Sequence, residues 1–211
     1  MTGAPRTTYH HGDLRAALLE QAELTLRSSG VEQLSLREVS RAIGVSNAAP
    51  RRHFQSKDEL LDALATVGFQ KIGRAIRAVP LNRESPFRTR LADLMTAYLR
   101  FAEENSALVN LMFSRKLQND RDTQLSATAA AAFEPSLELI RAGQQEGAVT
   151  KETEPERISV VLFATMHGLA AMAVHRMLDR DTIATATEDA VHFFLDGAAP
   201  RAPRRKRAAS A

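Results

Sequence analysis

The stretch LSLREVSRAIGVSNAAPRRHFQSKDEL, residues 34–60, decides the fold of this chain. Ser35 and Glu38 have the spacing of a capping box, so we expect a helix to start there. Apolar residues recur at helical spacing until Gly44, which favours a helix stop because glycine adopts a positive φ without steric cost. Ser46 favours the cap of a second helix over 47–53. The pattern predicts a helix-turn-helix, the motif whose second helix enters the major groove of DNA.

An ordinary pair of helices in an all-α domain is the alternative interpretation of this stretch. The second helix counts against it, because it carries polar and charged residues and few large apolar ones. A third helix is predicted from a second capping box, Ser56 and Glu59, with Lys57 in its first turn. A cation there opposes the helix dipole unless an anion such as a phosphate is nearby. DNA binding is therefore the favoured interpretation.

The run from Asp13 to about Phe69 resembles the DNA-binding domain of the tetracycline-repressor (TetR) family. The matching motifs are Ser29-Gly30 after a long first helix, Leu36-x-x-Val39, Ala42-x-Gly44-Val45-Ser46 and His53-Phe54-x-Ser56-Lys57-Asp58-Glu59-Leu60. The resemblance implies an all-α protein with an N-terminal three-helix helix-turn-helix domain and a C-terminal helical domain for ligand binding and dimerisation. It further implies a homodimer on a near-palindromic operator in double-stranded DNA.

The chain departs from the family within the second helix of the motif. Arg51 stands where members usually carry an aromatic residue, most often Tyr, and an Arg can hold a phosphate through its planar fork. Pro50 falls in the first turn, where a missing N–H costs least, so the helix is expected to survive. If Pro50 instead breaks the helix, the alternative is a small-molecule-binding helical protein with little or no specific DNA binding.

Caps and breakers predict the organisation of the chain. The predicted parts are a flexible basic arm at 1–12, the DNA-binding domain at 13–56, a linking helix at 57–79, a ligand-binding and dimerisation domain at 80–197, and a disordered basic tail at 198–211. Helices are expected at 13–29, 86–104, 106–117, 122–146, 156–178 and 185–196, with Pro135 bending or splitting the helix at 122–146.

Polar side chains in and around the motif form the predicted DNA-binding set. We expect Asn47 and Arg51 to approach base edges, since Asn suits adenine and Arg suits guanine. The other members are expected mainly at phosphates, where they set register, and are Ser46, Arg52, His53, Lys57, Thr8 and Arg37. In a dimer, two such helices would enter successive major grooves about 34–36 Å apart.

The C-terminal half carries the side chains expected to line a pocket for a small-molecule effector. They are large or adaptable, and are Tyr98, Phe101, Met112, Phe113, Phe163, Met166 and His167. The alternative is that they simply fill the core. Tyr98 and His167 are the better candidates, because a buried phenol or imidazole needs a polar partner that a ligand could supply. The apolar segment 158–178 and the last helix are expected to form the dimer interface, with Gly168, Met172, Phe193 and Phe194.

Charge and composition limit the remaining function classes. The net charge of +3 arises in the tail, because removing the five cations of residues 201–207 leaves 23 basic and 25 acidic residues. The chain has no cysteine, so neither a disulfide nor a thiolate site is possible. No run of eighteen apolar residues and no signal peptide is apparent, so we expect a cytoplasmic protein without a membrane segment.

An enzyme is the rival class to a regulator. The pairs His10/His11 and His167/His175 lack a third ligand at a fitting spacing, and neither a phosphate loop nor a nucleophile elbow is present. We therefore expect no catalytic residue, metal or cofactor. The prediction is a sequence-specific DNA-binding transcriptional regulator, a repressor released from its operator by a small molecule.

Overall fold

The computed structural model describes residues 11–80, 84–118 and 123–200, and these ranges contain α-helices and no strand. Thr8 and the basic tail lie outside the described residues. The elements in chain order are α1 His11–Gln33, α2 Leu36–Ala42, a 3₁₀ helix Pro50–Arg52, α3 Lys57–Arg77, α4 Phe87–Glu104, α5 Ser106–Gln118, α6 Thr123–Glu146, α7 Pro155–Val174 and α8 Arg180–Ala198.

The chain divides into two compact units. The first unit contains the described residues of Met1–Ile72 and Asn105–Ala131, and the second contains those of Gly73–Glu104 and Ala132–Ala211. This division differs from the domain predicted at 80–197, because α5 and the start of α6 belong with the N-terminal helices. The difference comes from contacts between distant parts of the chain, which local sequence patterns do not report.

Local signals set the start of α2 and the interruptions at Gly30 and Gly44, as predicted. The Ser35 hydroxyl accepts a hydrogen bond from the Glu38 amide at 3.1 Å and caps α2. Gly30 and Gly44 have φ of 78° and 74°, and they interrupt α1 and end the α2 turn. The core of the first unit contains Leu18, Ala22 and Leu26 of α1. Its other buried side chains come mainly from α2, α3 and α5.

The segment expected as the second helix of the motif is not an α-helix. Residues 47–49 form a turn, and only Pro50–Arg52 are helical, in a 3₁₀ helix. Pro50 has no amide hydrogen to donate to the Ser46 carbonyl, which instead accepts from the Ala49 amide at 3.0 Å. The prediction that this helix survives Pro50 is therefore wrong, although the backbone still turns tightly through the segment.

Helices α4, α7 and α8 pack together in the second unit. Buried side chains of α4, including Leu91, Leu94 and Tyr98, form its core with a stripe of α7. The last helix begins at Arg180, earlier than predicted, because Asp179 caps it by accepting from the Thr182 amide at 2.8 Å. Pro135 lies within α6, and the helix continues through it rather than splitting.

Helix α7 has no unbroken run of eighteen apolar residues, yet it is strongly apolar on average. By length and composition this 20-residue helix could span a membrane, with a mean hydropathy of 1.6 over 18 residues, although the core helix of a soluble protein can pass the same test. Isolated polar residues such as Ser159 and Thr165 interrupt an apolar run but barely lower the mean hydropathy of the helix. Only 22% of the window is buried, so much of its apolar surface is uncovered within one chain.

Candidate DNA interface and effector region

A polar hollow of about 440 Å³ lies between α2 and the start of the reading segment, by which we mean residues 46–53. Its lining brings together three members of the predicted DNA-binding set, Arg37, Ser46 and Asn47. It also includes Arg41, which is absent from the predicted set. Arg41 pairs with Glu38 at 3.0 Å and keeps 78% of its side chain exposed. This surface offers several donors to an acidic polymer.

Arg51 and Arg52 follow on the 3₁₀ helix, and both are exposed. Successive residues of a 3₁₀ helix point about 120° apart, so the two guanidinium groups leave the backbone in different directions. The segment is anchored from below, because Pro50 and Phe54 are buried and the Phe54 amide donates to the Pro50 carbonyl at 2.9 Å. Asn47 and both arginines are thus presented on a fixed support.

Two members of the predicted set have protein contacts of their own. The Nε2 of His53 is buried and has no hydrogen-bond partner among the described residues, so this atom does not face solvent. Lys57 is half-buried, and its ammonium group donates to the Glu32 carbonyl at 3.4 Å. That carbonyl lies near the end of α1, where backbone oxygens attract cations. The Lys57 charge is therefore partly satisfied without DNA.

In the second unit, Tyr98 and His167 form an internal pair. Tyr98 Oη lies 2.8 Å from His167 Nδ1, and the Tyr98 side chain is fully buried. Phe163 stacks on the imidazole with ring centroids 5.4 Å apart, and Phe133 lies against Phe163 at 4.8 Å. Burial raises the pKa of Tyr98 and lowers that of His167. The polar partner that we expected a ligand to supply is thus present in the protein.

The other predicted ligand-binding residues do not form one group. Phe101 and Met166 are buried in the second unit, whereas Met112 and Phe113 belong to the first. Met112 lies where a side chain on Gly68 would be, because a Cβ built there would come within 2.5 Å of its sulfur. Phe113 meets the edge of Phe69 at 5.6 Å. Met112 is thus part of the core of the first unit, and Phe113 is half-buried beside Phe69.

A groove that the sequence analysis missed runs between α4 and α8 in the second unit. Its volume is about 760 Å³, which is within the usual range for small-molecule sites. Arg88 and His192 meet near one end, at 3.2 Å, and Arg100 and Arg180 line it as well. Along its own helix, each of these two arginines is twelve residues from that meeting point, which corresponds to about 18 Å of helix, so both lie toward the other end of the groove.

Small and apolar side chains form the middle of this groove, with two acids among the lining residues. The side chains concerned are Ala92, Thr96, Leu99, Ile183, Ala184, Thr187 and Val191, and the acids are Glu103 and Glu188. An elongated apolar molecule with an anionic end fits this distribution of charge and surface.

Comparison with known proteins identifies the family. Residues 18–64 match the model of the bacterial regulatory proteins of the tetR family, and residues 91–197 match that of the tetracyclin repressor-like C-terminal domain. The chain belongs to the TetR family. It is a DNA-binding transcriptional regulator with an all-α fold, as the motif at 34–60 predicted.

Individual relatives agree with this assignment. The nucleoid occlusion factor SlmA of Escherichia coli O1:K1 / APEC is 30% identical over 146 residues, which are 66% of this chain and 73% of that protein. A solved protein of unknown function from Rhodococcus sp. RHA1 has a TM-score of 0.82 at 36% identity, covering 92% of this chain and 100% of that one. The TetR family transcriptional regulator PfmR of Thermus thermophilus shares the fold, with a TM-score of 0.61, 20% identity, and coverage of 82% and 96%.

Helices α7 and α8 of this TetR family protein expose an apolar surface. On α7, Val160 and Val161 are 66% and 58% exposed, and on α8, Phe193 is 68% exposed. Of the predicted interface residues, Met172 is 40% exposed, Phe194 is half-buried, and the Cα of Gly168 faces open space. Side chains this large are seldom left in water as a continuous patch unless a partner covers them.

The lowered pKa of His167 makes stability depend on pH. The imidazole binds a proton less readily in the folded protein than in the unfolded chain, where it is protonated below about pH 6.5. The free energy of unfolding should therefore be highest above that pH and should fall as the pH is lowered. Thermal melts from pH 7.5 to 5.0 should show a smaller loss for His167→Gln than for the parent. His175→Gln, at the exposed end of α7, is the control; equal losses for parent and His167→Gln would contradict the prediction.

Proposed function

We propose that this TetR family regulator is a homodimeric cytoplasmic repressor that leaves a near-palindromic operator when a small molecule binds its second unit. The main support for DNA binding is that Asn47, Arg51 and Arg52 are exposed, while Pro50 and Phe54 are buried and hold the segment in place. Polar groups held on a rigid support are the usual means of direct base readout. The family's general role in transcription regulation, which is not enzymatic, supports this proposal.

Base contacts and phosphate contacts are assigned to different residues. Asn47 and Arg51 are proposed to meet base edges, with Arg37, Arg41, Ser46 and Arg52 at phosphates. Thr8 remains a proposal from the sequence. Nε2 of His53 is buried, and the Lys57 ammonium group contacts the Glu32 carbonyl. We therefore assign these two residues to phosphate contact only through their remaining donor groups.

Substitution at Asn47 and at Arg37 should separate the two kinds of contact. Asn47→Ala should weaken operator binding by about 1–3 kcal/mol and relax preference at one base position. Arg37→Ala should weaken binding to all sequences and reduce the salt slope by about one. Fluorescence anisotropy with the upstream duplex of the gene and a random duplex, at several salt concentrations, measures both effects. Equal losses on both duplexes for Asn47→Ala would contradict its assignment.

A second function is favoured by the 3₁₀ geometry at Pro50. If the shortened helix cannot enter the major groove, the protein would bind small molecules and have little specific affinity for DNA. Truncation after Pro200 distinguishes the two functions in the same anisotropy experiment. Specific binding that survives truncation supports the repressor, whereas weak binding that is equal on both duplexes and is lost with the tail supports the alternative.

The exposed faces of α7 and α8 are proposed as the homodimer interface. A single reading segment contacts few base pairs, and a two-fold dimer doubles the site. Phe193 and Ala184 are nine residues apart on α8, which places them on opposite sides of the helix. The dimer surface and the α4–α8 groove therefore use different faces of α8, so both could be occupied at once.

A charge placed at the centre of this interface should disrupt the dimer. Phe193→Asp should sediment as a monomer at micromolar concentration, because burying an unpaired carboxylate costs several kcal/mol. Operator affinity should fall with it. Leu24→Asp is the matched control, since Leu24 is a large side chain of the first unit that is 53% exposed. A dimeric Phe193→Asp protein in analytical ultracentrifugation would exclude this interface.

The α4–α8 groove is proposed as the effector site, with an amphipathic organic anion as ligand. Its arginines favour an anionic group, and its Ala and Thr side chains leave room for an apolar body. The Tyr98–His167 pair, which the sequence favoured, is less suited, because its polar atoms bind each other. A ligand in the groove can change DNA binding only by its difference in affinity between the bound and released states.

Filling the groove should prevent ligand binding without affecting the fold. Anilinonaphthalene sulfonate, an amphipathic anion that fluoresces in apolar sites, serves as the probe. Ala184→Trp should weaken its binding at least tenfold, because the indole occupies the middle of the groove. Thr185→Trp places the same group on a neighbouring exposed position outside the groove and should bind the probe as the parent does. Unchanged titrations of Ala184→Trp, with an unchanged melting temperature, would exclude the groove.

A further inference from the structure

Arg115 of α5 contacts two acidic side chains at the beginning of α3, all within the first unit. Its Nε donates to the Asp62 carboxylate at 2.6 Å, and its Nη1 donates to that of Asp58 at 2.9 Å. The guanidinium is largely enclosed, with 12% of the Arg115 side chain exposed against 16% for Asp62 and 75% for Asp58. The hydrogen bond to Asp62 is the main reason that the pKa of Arg115 is raised. The cation is thus held in place by both carboxylates.

The position of Asp58 creates a conflict between folding and DNA binding. It lies in the first turn of α3 with Glu59, where negative charge stabilises the helix through its dipole. That same turn begins five residues after Arg52, next to the exposed reading segment. A carboxylate near the phosphate backbone would be repelled by it. The acids that help α3 to start would therefore weaken DNA binding unless another charge offset them.

We propose that Arg115 is a positioning residue for DNA binding: it holds Asp58 and Asp62 and offsets one of their two negative charges beside the reading surface. Arg115 is more than sixty residues beyond the reading segment and lies in the half of the chain that the sequence predicted to be regulatory. Because α5 belongs to the same compact unit as the helix-turn-helix, this contact lies within one unit. Arginine suits this role because its planar fork can bind two carboxylates at once and stays charged at all physiological pH values.

Operator binding by Arg115→Met tests the proposal. Methionine keeps the approximate length of the side chain and removes the charge, so the affinity should fall about tenfold at 0.1 M salt. The variant Arg115→Met/Asp58→Asn lacks one cation and one acid, so its net charge equals that of the parent, and its affinity should return to within about threefold of the parent. A residue with a purely structural role would not be rescued in this way. Melting temperatures are recorded for each protein, and binding is measured well below them.

Arg141 offers a matched control in the second unit. It also binds two carboxylates, Glu134 at 3.1 Å and Glu156 at 2.8 Å, and Arg141→Met changes the net charge by the same amount. Its operator affinity should stay within about twofold of the parent. Three results would overturn the proposal: an equal loss for Arg141→Met, no loss for Arg115→Met, or no recovery in the double variant Arg115→Met/Asp58→Asn.

Discussion

The first unit depends on where α3 begins. The Ser56 hydroxyl accepts from the Glu59 amide at 3.1 Å, and the Glu59 carboxylate accepts from the Gln55 amide at 2.6 Å, so two backbone donors at the helix start are satisfied. Such caps are each worth about 0.5–2 kcal/mol. Together with Lys57 on the end of α1, they fix the chain immediately after the reading segment. The reading segment can therefore be short and irregular without losing its support.

The sequence predicted the features that neighbouring residues determine. Ser35 and Ser56 cap their helices, and Gly30 and Gly44 interrupt them, because each of these effects involves residues within about four positions. At Pro50 the prediction that an α-helix survives is wrong. The proline ring fits a first helical turn, yet a segment of seven residues has too few other hydrogen bonds to remain α-helical when one is removed. For short helices, the local count of hydrogen bonds matters more than the position of the proline.

Features that need two distant parts of the chain could not be predicted in the same way. The sequence indicates that Tyr98 and His167 need polar partners, but only the packing of α4 against α7 shows that they satisfy each other. The same holds for the pairing of Arg115 with α3 and for the groove between α4 and α8. In each case a sequence pattern indicates the chemistry of one side, while the partner lies 50 or more residues away.

Helix α7 shows how an apolar sequence can be divided between two uses. Its buried residues Ile158, Leu162, Met166 and Ala170 recur every four positions, so they form one narrow stripe inside the unit. A helix needs no more than such a stripe to pack in a monomer. The additional apolar faces therefore add nothing to the fold of one chain and would favour aggregation if left in water. In the proposed homodimer a second copy covers them, which would make folding, dimerisation and the spacing of two reading segments parts of one equilibrium.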